Sequence, residues 1–267
     1  MPGWLRRMLV FLAYLLIGGY LALLLFGIFF SDRTLFQPHP SGYRDSDRIL
    51  KLATEDGARI SAVYLPNEQA RFTLLYSHGN AEDLGDILPL LEELRRAGFS
   101  VFSYDYHGYG TSTGAPSEAN TYRDIDAAYR YLTEELHIPP ERIIAFGHSV
   151  GGGPTADLVS RRPVAGLVLE SSFTTAFRVL TRVPLVPFDK FRNLEKLKRV
   201  RCPVLIIHGR RDRVIPFAHG LKLYEAANPP KRKLWLDQAD HDDVMFAGGT
   251  SYYDALRDFA ASLQTKP

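Results

Sequence analysis

The chain has 267 residues and a net charge of +2, with 46% hydrophobic and 23% charged residues. These values are ordinary for a globular chain with a sizeable core, and the length suits a single α/β domain. The nearly balanced charge gives no support for binding to nucleic acid or to an acidic polymer. Because Cys202 is the only cysteine, the sequence excludes an internal disulfide and a cysteine-rich metal site.

The first thirty residues predict a membrane anchor. No charged residue occurs between Met8 and Phe30, where Leu, Phe, Ile and Ala dominate. A helix of this length is about 34 Å long, and a hydrocarbon core is about 30 Å thick. A cleaved signal peptide is the alternative, but its apolar core is normally about 7–15 residues long and ends in small residues. We therefore expect an uncleaved transmembrane anchor at residues 1–30, followed by a linker at residues 31–46.

The charges that flank this segment predict its orientation. Arg6 and Arg7 precede the apolar run, whereas Asp32 and Arg33 follow it and nearly cancel. Positive residues prefer the cytoplasmic side of a membrane. We expect the N-terminus to lie in the cytoplasm and residues 47–267, the predicted catalytic domain, to lie on the non-cytoplasmic side.

Predicted strands and helices alternate along the rest of the chain. Asp56-Gly57 separates two strand patterns and is typical of a hairpin. The hairpin strands are predicted at 49–53 and 59–64, and further strands at 72–77, 99–104, 142–146, 164–169, 203–208 and 233–236. Helices are predicted at 86–97 and 121–136, directly after Ser149, and at 217–227 and 252–263. This alternation indicates an α/β fold with a mostly parallel central sheet and helices on both faces. Such sheets bind ligands beyond the C-terminal ends of their strands.

The best candidate for a nucleophile is Ser149. The segment Gly147-His148-Ser149-Val150-Gly151 matches G-x-S-x-G, follows a predicted strand and opens a predicted helix. The glycines allow a tight turn that exposes the serine hydroxyl, and the helix N-terminus favours developing negative charge. The alternative is a purely structural Gly-Ser turn.

A serine nucleophile needs a base, and the base needs an acid that orients it. Asp212 and His241 each follow a predicted strand, so both are expected at the sheet edge that carries Ser149. His78 and His208 also end predicted strands, but each precedes a glycine, where packing or loop hydrogen bonding is the expected role. The sequence therefore predicts a triad of Ser149, Asp212 and His241.

An oxyanion hole is predicted from His78-Gly79-Asn80-Ala81, which ends an earlier strand. The backbone N–H groups of Asn80 and Val150 are the expected donors, and losing one such donor typically lowers the rate about 100–1,000-fold. The alternative is a glycine turn that caps the next helix. This chemistry needs no metal and no organic cofactor.

Five ordered strings resemble the α/β-hydrolase superfamily. They lie at 77–81 (SHGNA), 104–110 (YDYHGYG), 147–152 (GHSVGG), 203–209 (PVLIIHG) and 212–216 (DRVIP). Within this superfamily, the chain resembles the small membrane-anchored branch described as α/β-hydrolase domain-containing or serine aminopeptidase-like. The resemblance implies an α/β-hydrolase fold and gives Asp105 a loop-anchoring role. Two positions depart from the pattern: His107 stands where the family often has Arg, and Asp240 where it often has Gly. The second departure bears on the pH dependence of the site.

The expected function follows from these residues. We expect a serine hydrolase that cleaves a carboxylic ester, thioester or lipid ester through an acyl-enzyme on Ser149, with a small acyl ester or lipid as substrate. A short lid at about 171–201 is rich in apolar residues, and it forms an acyl-binding wall, a membrane-facing rim or an ordinary cover for the sheet edge. Two rival functions remain open: a serine aminopeptidase-like peptidase, and a catalytically idle, membrane-tethered scaffold.

Overall fold

The computed structural model describes residues 1–181 and 183–263, which build an eight-stranded sheet with the strand order β1-β2-β4-β3-β5-β6-β7-β8. The strands are β1 (Leu50–Ala53), β2 (Arg59–Leu65), β3 (Thr73–Ser77), β4 (Ser100–Tyr104), β5 (Ile143–His148), β6 (Gly166–Glu170), β7 (Val204–Gly209) and β8 (Lys231–Leu236). Strands β3 to β8 pair in parallel, and β1 and β2 pair antiparallel at one edge. This is the mostly parallel sheet that the sequence predicts.

Helices cover both faces of this sheet. In chain order, the α-helices of the described residues are α1 (Gly3–Phe29), α2 (Ser31–Leu35), α3 (Leu84–Arg96), α4 (Glu118–Arg130), α5 (Gly152–Val159), α6 (Phe177–Leu180), α7 (Asn193–Leu197), α8 (Ala218–Ala226) and α9 (Val244–Ser262). A π-helical turn extends α4 (Tyr131–Glu135), and 3₁₀ turns precede β5 (Pro140–Arg142) and α5 (Ser149–Gly151). Helices α3 and α9 pack on one face, and α4 packs on the other.

The central strands are buried on both sides because helices cover both faces. Every residue of β3, β5, β6 and β7 is buried, which explains why these strands appear in the sequence as continuous apolar runs. Within β3, Leu74 and Tyr76 pack against α3, whereas Leu75 packs on the opposite face, as the two-residue period of a strand requires.

The predicted hairpin forms at the antiparallel edge. Leu50 pairs with Ala62 and Ala53 with Arg59. Gly57 adopts a φ of 85°, a left-handed conformation that a side chain disfavours. The hairpin continues the sheet beside β4, where Ala62 pairs with Tyr104, and its turn lies beyond the C-terminal end of that strand.

One helix begins well before its predicted start, and another was not predicted. Helix α9 begins at Val244, eight residues before the expected start, because Gly249 kinks it at a φ of 47° instead of ending it. Helix α2 (Ser31–Leu35) forms inside the predicted linker, and the Ser31 hydroxyl donates a hydrogen bond to the Gly27 carbonyl oxygen at 2.6 Å. The apolar helix therefore passes almost directly into the folded domain.

Helix α1 is the candidate membrane segment. Within the part of the chain that the structure describes, it is the one helix long and apolar enough to cross a membrane. Its large apolar side chains are exposed over most of its length, including Phe11 at 64% and Leu16 at 67%. Only its C-terminal end is covered, where Gly27 is buried. A helix that is apolar on all sides and not packed in a core is typical of a membrane segment.

Candidate active site

Ser149 lies on a sharp turn between β5 and α5. Its φ is 52°, a strained value for a residue with a side chain. The neighbouring glycines leave no room for a Cβ atom: one on Gly151 would lie 2.1 Å from the Ser77 carbonyl oxygen, and one on Gly147 would lie 2.6 Å from the Gly151 carbonyl oxygen. The two glycines of the sequence motif thus permit the backbone contacts that hold this turn.

The three residues predicted as a triad meet at the C-terminal edge of the sheet. His241 Nε2 lies 2.9 Å from Ser149 Oγ, and His241 Nδ1 lies 2.8 Å from Asp212 Oδ2. All three side chains are buried. Because Asp212 accepts at Nδ1, the neutral imidazole carries its proton there and leaves Nε2 free to take the serine proton.

Asp212 is fixed by its own loop. Its Oδ1 accepts hydrogen bonds from the backbone N–H groups of Val214, at 2.9 Å, and Ile215, at 2.6 Å. Burial opposes ionisation of this carboxyl, but His208, His241 and the Ile215 N–H group outweigh it and hold the pKa of Asp212 below its ordinary value. The acid is therefore ionised over the whole neutral range.

His208 supports this loop in a way that the sequence did not reveal. Its Nε2 lies 2.9 Å from the Ile215 carbonyl oxygen and 3.2 Å from Asp212 Oδ2. A nitrogen facing a carbonyl oxygen must carry its proton, so His208 donates to both oxygens. These contacts agree with the expected role of His208 in loop hydrogen bonding. Neither the spacing of the residues nor a sequence motif predicted its contact with the Asp212 carboxylate.

The predicted oxyanion donors lie beside the nucleophile. Asn80 and Val150 line the same cavity as Ser149. The Asn80 side chain donates to the Leu35 carbonyl oxygen at 2.7 Å and accepts from the Tyr109 hydroxyl at 2.6 Å. These bonds fix the loop that carries Asn80, and they leave its backbone N–H, with that of Val150, as the expected donors.

A cavity of about 270 Å³ opens at Ser149. The lid supplies much of its wall. The lining residues are Phe26, Ser31, Thr34, Leu35, Asn80, Ser149, Val150, Phe173, Ala176, Phe177, Val179, Leu180, Val214 and Ile215. This position favours an acyl-binding wall over a cover for the sheet edge alone. A cover for the sheet edge alone would not need to face the nucleophile.

A second ionic group lies directly behind the triad. His148 Nδ1 lies 3.1 Å from Glu170 Oε1, and the His148 ring centre lies 5.5 Å from that of His241. Burial lowers the pKa of His148, but Glu170 outweighs this effect and, with Glu82 and Asp242, raises the pKa to about 9. The one signal for this pair in the sequence is the acidic residue Glu170, directly after a predicted buried strand. The sequence did not otherwise predict the pair.

The two positions that depart from the family pattern have local partners. Asp240 accepts hydrogen bonds from the Arg213 backbone N–H, at 2.9 Å, and from Arg213 Nε, at 2.5 Å. It also accepts a hydrogen bond from the His241 backbone N–H at 2.9 Å. His107 Nδ1 lies 2.5 Å from Asp124 Oδ1. Both residues hold loops in place.

Asp105 anchors loops, as the resemblance implies. Its carboxylate accepts hydrogen bonds from the Leu84 backbone N–H at 3.0 Å and from the Tyr43 hydroxyl at 2.5 Å. The side chain is buried, and it lies 3.4 Å from His78 Nε2. It joins the start of α3 to the segment before β1.

Two groups of side chains among the described residues have the spacing of metal ligands: His148, His241 and Asp242, and His39, Asp83 and Asp86. Other contacts explain both groups. The two histidines of the first group pair with Glu170 and Asp212. In the second group, Asp83 and Asp86 form the capping box of α3. Neither group provides evidence for a metal.

A buried serine, histidine and aspartate joined by hydrogen bonds at the C-terminal edge of a mostly parallel sheet define an α/β hydrolase. The serine aminopeptidase (S33) family matches residues 68–193. The chain belongs to the family of alpha/beta hydrolase domain-containing protein 17. It is 39% identical to protein 17B of Homo sapiens over 237 residues, covering 86% of this chain and 81% of the relative. It is 40% identical to protein 17B of Xenopus laevis over 235 residues, with the same coverage of 86% and 81%.

Solved structures show the same fold. An esterase of Pyrococcus furiosus superimposes with a TM-score of 0.72 at 18% identity, over 85% of this chain and 98% of the esterase. An esterase domain of a Rhodothermus marinus protein superimposes with a TM-score of 0.60 at 22% identity, over 78% and 97% of the two chains. At these identities the likeness establishes the α/β-hydrolase fold, and family membership makes the chain a hydrolase.

Proposed function

We propose that the chain is a serine hydrolase that cleaves a carboxylic ester, thioester or lipid ester through an acyl-enzyme on Ser149. The observation that carries the proposal is the continuous hydrogen-bond chain from Ser149 through His241 to Asp212, at 2.9 Å and 2.8 Å. A scaffold protein has no need for a serine held on a strained turn in contact with an oriented base.

The reaction has two steps. His241 Nε2 takes the proton from Ser149 Oγ, which attacks the carbonyl carbon, and the N–H groups of Asn80 and Val150 hold the resulting oxyanion. The bond to the alcohol or thiol then breaks, and His241 returns the proton to this leaving group. A water molecule repeats the sequence on the acyl-enzyme and releases the acid. Asp212 stabilises the imidazolium in both steps without taking its proton.

The lining of the cavity favours an ester over a peptide. An aminopeptidase needs an acidic group that can bind the ammonium of its substrate. Among the described residues that line the cavity at Ser149, none is charged, and most are apolar. Such a wall suits the hydrocarbon part of an acyl group, whose burial is favourable in proportion to its area.

The domain organisation is part of the proposal. Residues 1–30 form an uncleaved membrane anchor, residues 31–46 connect it to the fold, and residues 47–267 form the catalytic domain on the non-cytoplasmic side, with the lid at about 171–201. The exposed apolar surface of α1 supports the anchor, and Arg6 and Arg7 support the orientation. Protease digestion of intact and permeabilised cells tests on which side of the membrane the catalytic domain lies.

The decisive experiment is labelling with a fluorophosphonate probe. The full-length chain in detergent micelles is compared with Ser149→Ala, after circular dichroism has shown that both are folded. The parent should be labelled and the variant should not. A folded parent that stays unlabelled in detergent refutes the activated nucleophile and favours the scaffold function. A panel of esters, thioesters and aminoacyl amides then separates the esterase from the peptidase.

A further inference from the structure

The N-terminal helix forms part of the active-site wall. Phe26, near the end of α1, and Ser31, at the start of α2, line the cavity that contains Ser149. A second cavity of about 220 Å³ lies between α1 and the lid. The two cavities share four lining residues, Phe26, Ser31, Phe177 and Leu180. The wall that they share therefore joins the predicted anchor to the nucleophile.

The end of α1 is held tightly against the lid. A Cβ atom on Gly27 would lie 3.0 Å from the Phe188 ring, so the helix and the lid approach as closely as a glycine permits. Asp32 Oδ1 forms an ion pair with Lys190 Nζ at 2.7 Å, and both side chains are partly buried. These contacts hold the end of α1, whose Gly27 lines the second cavity, against the lid.

The described lining of the second cavity is mostly apolar, with Arg178 as its one charged residue. Its lining from α1 includes Leu23 and Gly27, which belong to the segment between Met8 and Phe30 that carries no charge. If α1 spans a bilayer, these residues lie at the level of the acyl tails next to the interface. The cavity therefore faces hydrocarbon at one end and adjoins the catalytic cavity at the other.

We propose that the two cavities form one acyl channel, through which a long unbranched acyl chain reaches Ser149 from the bilayer, along the joint between α1 and the lid. This inference rests on the proposed function and adds the anchor helix to the substrate site. One methylene group occupies about the volume share of a water molecule in the liquid, roughly 30 Å³. On that scale the cavity of 270 Å³ holds about nine methylene groups and the cavity of 220 Å³ about seven.

Variants at the junction test the channel. Ser31→Leu adds bulk where the cavities meet, and Leu180→Trp does the same from an exposed lid position. Val183→Trp is the matched control, because Val183 is also an exposed lid residue but is not among the lining residues of either cavity. The full-length proteins in micelles are assayed with p-nitrophenyl butanoate and p-nitrophenyl palmitate.

The measured quantity is the ratio of kcat/KM for the long ester to kcat/KM for the short one. We expect this ratio to fall at least tenfold in Ser31→Leu and Leu180→Trp and to stay at the parent value in Val183→Trp. A ratio that is unchanged in both junction variants, or that falls equally in the control, overturns the channel. If instead the parent cleaves neither ester and the probe does not label Ser149, the proposed function itself fails.

A second measurement tests the route. The parent receives the same palmitoyl thioester either anchored in phosphatidylcholine vesicles that also hold the protein, or as palmitoyl coenzyme A dispersed in water. At equal total concentration the vesicle-anchored thioester should be cleaved faster, and Ser31→Leu should remove this advantage. Faster cleavage of the dispersed thioester overturns delivery from the bilayer.

Discussion

The buried ion pair behind the triad makes the stability of the fold depend on pH. His148 lies 3.1 Å from Glu170, and its pKa is raised from 6.5 to about 9. A group whose pKa is higher in the folded state stabilises the protein fully below its unfolded pKa. This stabilisation is lost as the pH rises through the folded pKa, so the relevant window runs from about pH 6.5 to about pH 9.

The size of the effect follows from the shift. Each pKa unit corresponds to about 1.4 kcal/mol, so the stabilisation from His148 is on the order of 3 kcal/mol at pH 6. Glu170→Gln removes the partner that raises the pKa, so the unfolding free energy of this variant should change little over the window. The difference between parent and variant should therefore be largest near pH 6 and shrink by most of its value by pH 9.5.

Unfolding in detergent micelles, followed by circular dichroism at several pH values, measures this difference. Glu225→Gln is the control, because Glu225 is exposed on α8. In the difference between the unfolding free energies of parent and variant, the contributions of groups that titrate alike in both proteins cancel. A difference that stays constant between pH 6 and pH 9.5, or grows with pH, would refute the assignment of a charged His148.

Three further predictions concern the catalytic edge. Asp212→Asn should lower kcat about 10,000-fold without unfolding the chain, because the imidazole loses its oriented tautomer. Asp237→Asn, at an exposed position of the loop after β8, should retain parent kcat. His208→Leu should lower kcat and leave KM nearly unchanged, since His208 contacts Asp212 at 3.2 Å and not the cavity; a change confined to KM contradicts this role. Gly151→Ala should destabilise the fold by about 3 kcal/mol or more, because its Cβ would lie 2.1 Å from the Ser77 carbonyl oxygen. The control is Gly19→Ala, which has open space around the new methyl group and should melt at the parent temperature.

The sequence predicted the sheet well because its central strands are buried on both faces. A strand such as β7 must be apolar along its whole length, and the chain shows this directly as Val204 to Ile207. The loops that end these strands then lie at one edge by topology alone. Ser149, Asp212 and His241 could therefore be placed near one another before any distance was known.

Contacts between distant segments escaped sequence reasoning for a physical reason. The pair of His148 and Glu170 joins neighbouring strands whose register, His148 opposite Glu170, no local pattern encodes. The last helix was predicted to begin at Tyr252, whereas α9 begins at Val244 and continues past a kink at Gly249. Secondary-structure propensity depends on a residue and its neighbours in the sequence, and tertiary packing can override it.

The short distance between α1 and the fold links the proposed membrane anchor to the candidate active site. Helix α2 follows α1 almost immediately, and the chain from Leu35 is then tied to Asn80 by a hydrogen bond at 2.7 Å. Asn80 is also the residue whose backbone N–H is expected to hold the oxyanion. A shift of α1 relative to the domain therefore acts at once on the cavity wall at Phe26 and on the loop of Asn80. Because both depend on the same few residues, the orientation of the anchor and the geometry of the catalytic site cannot vary independently.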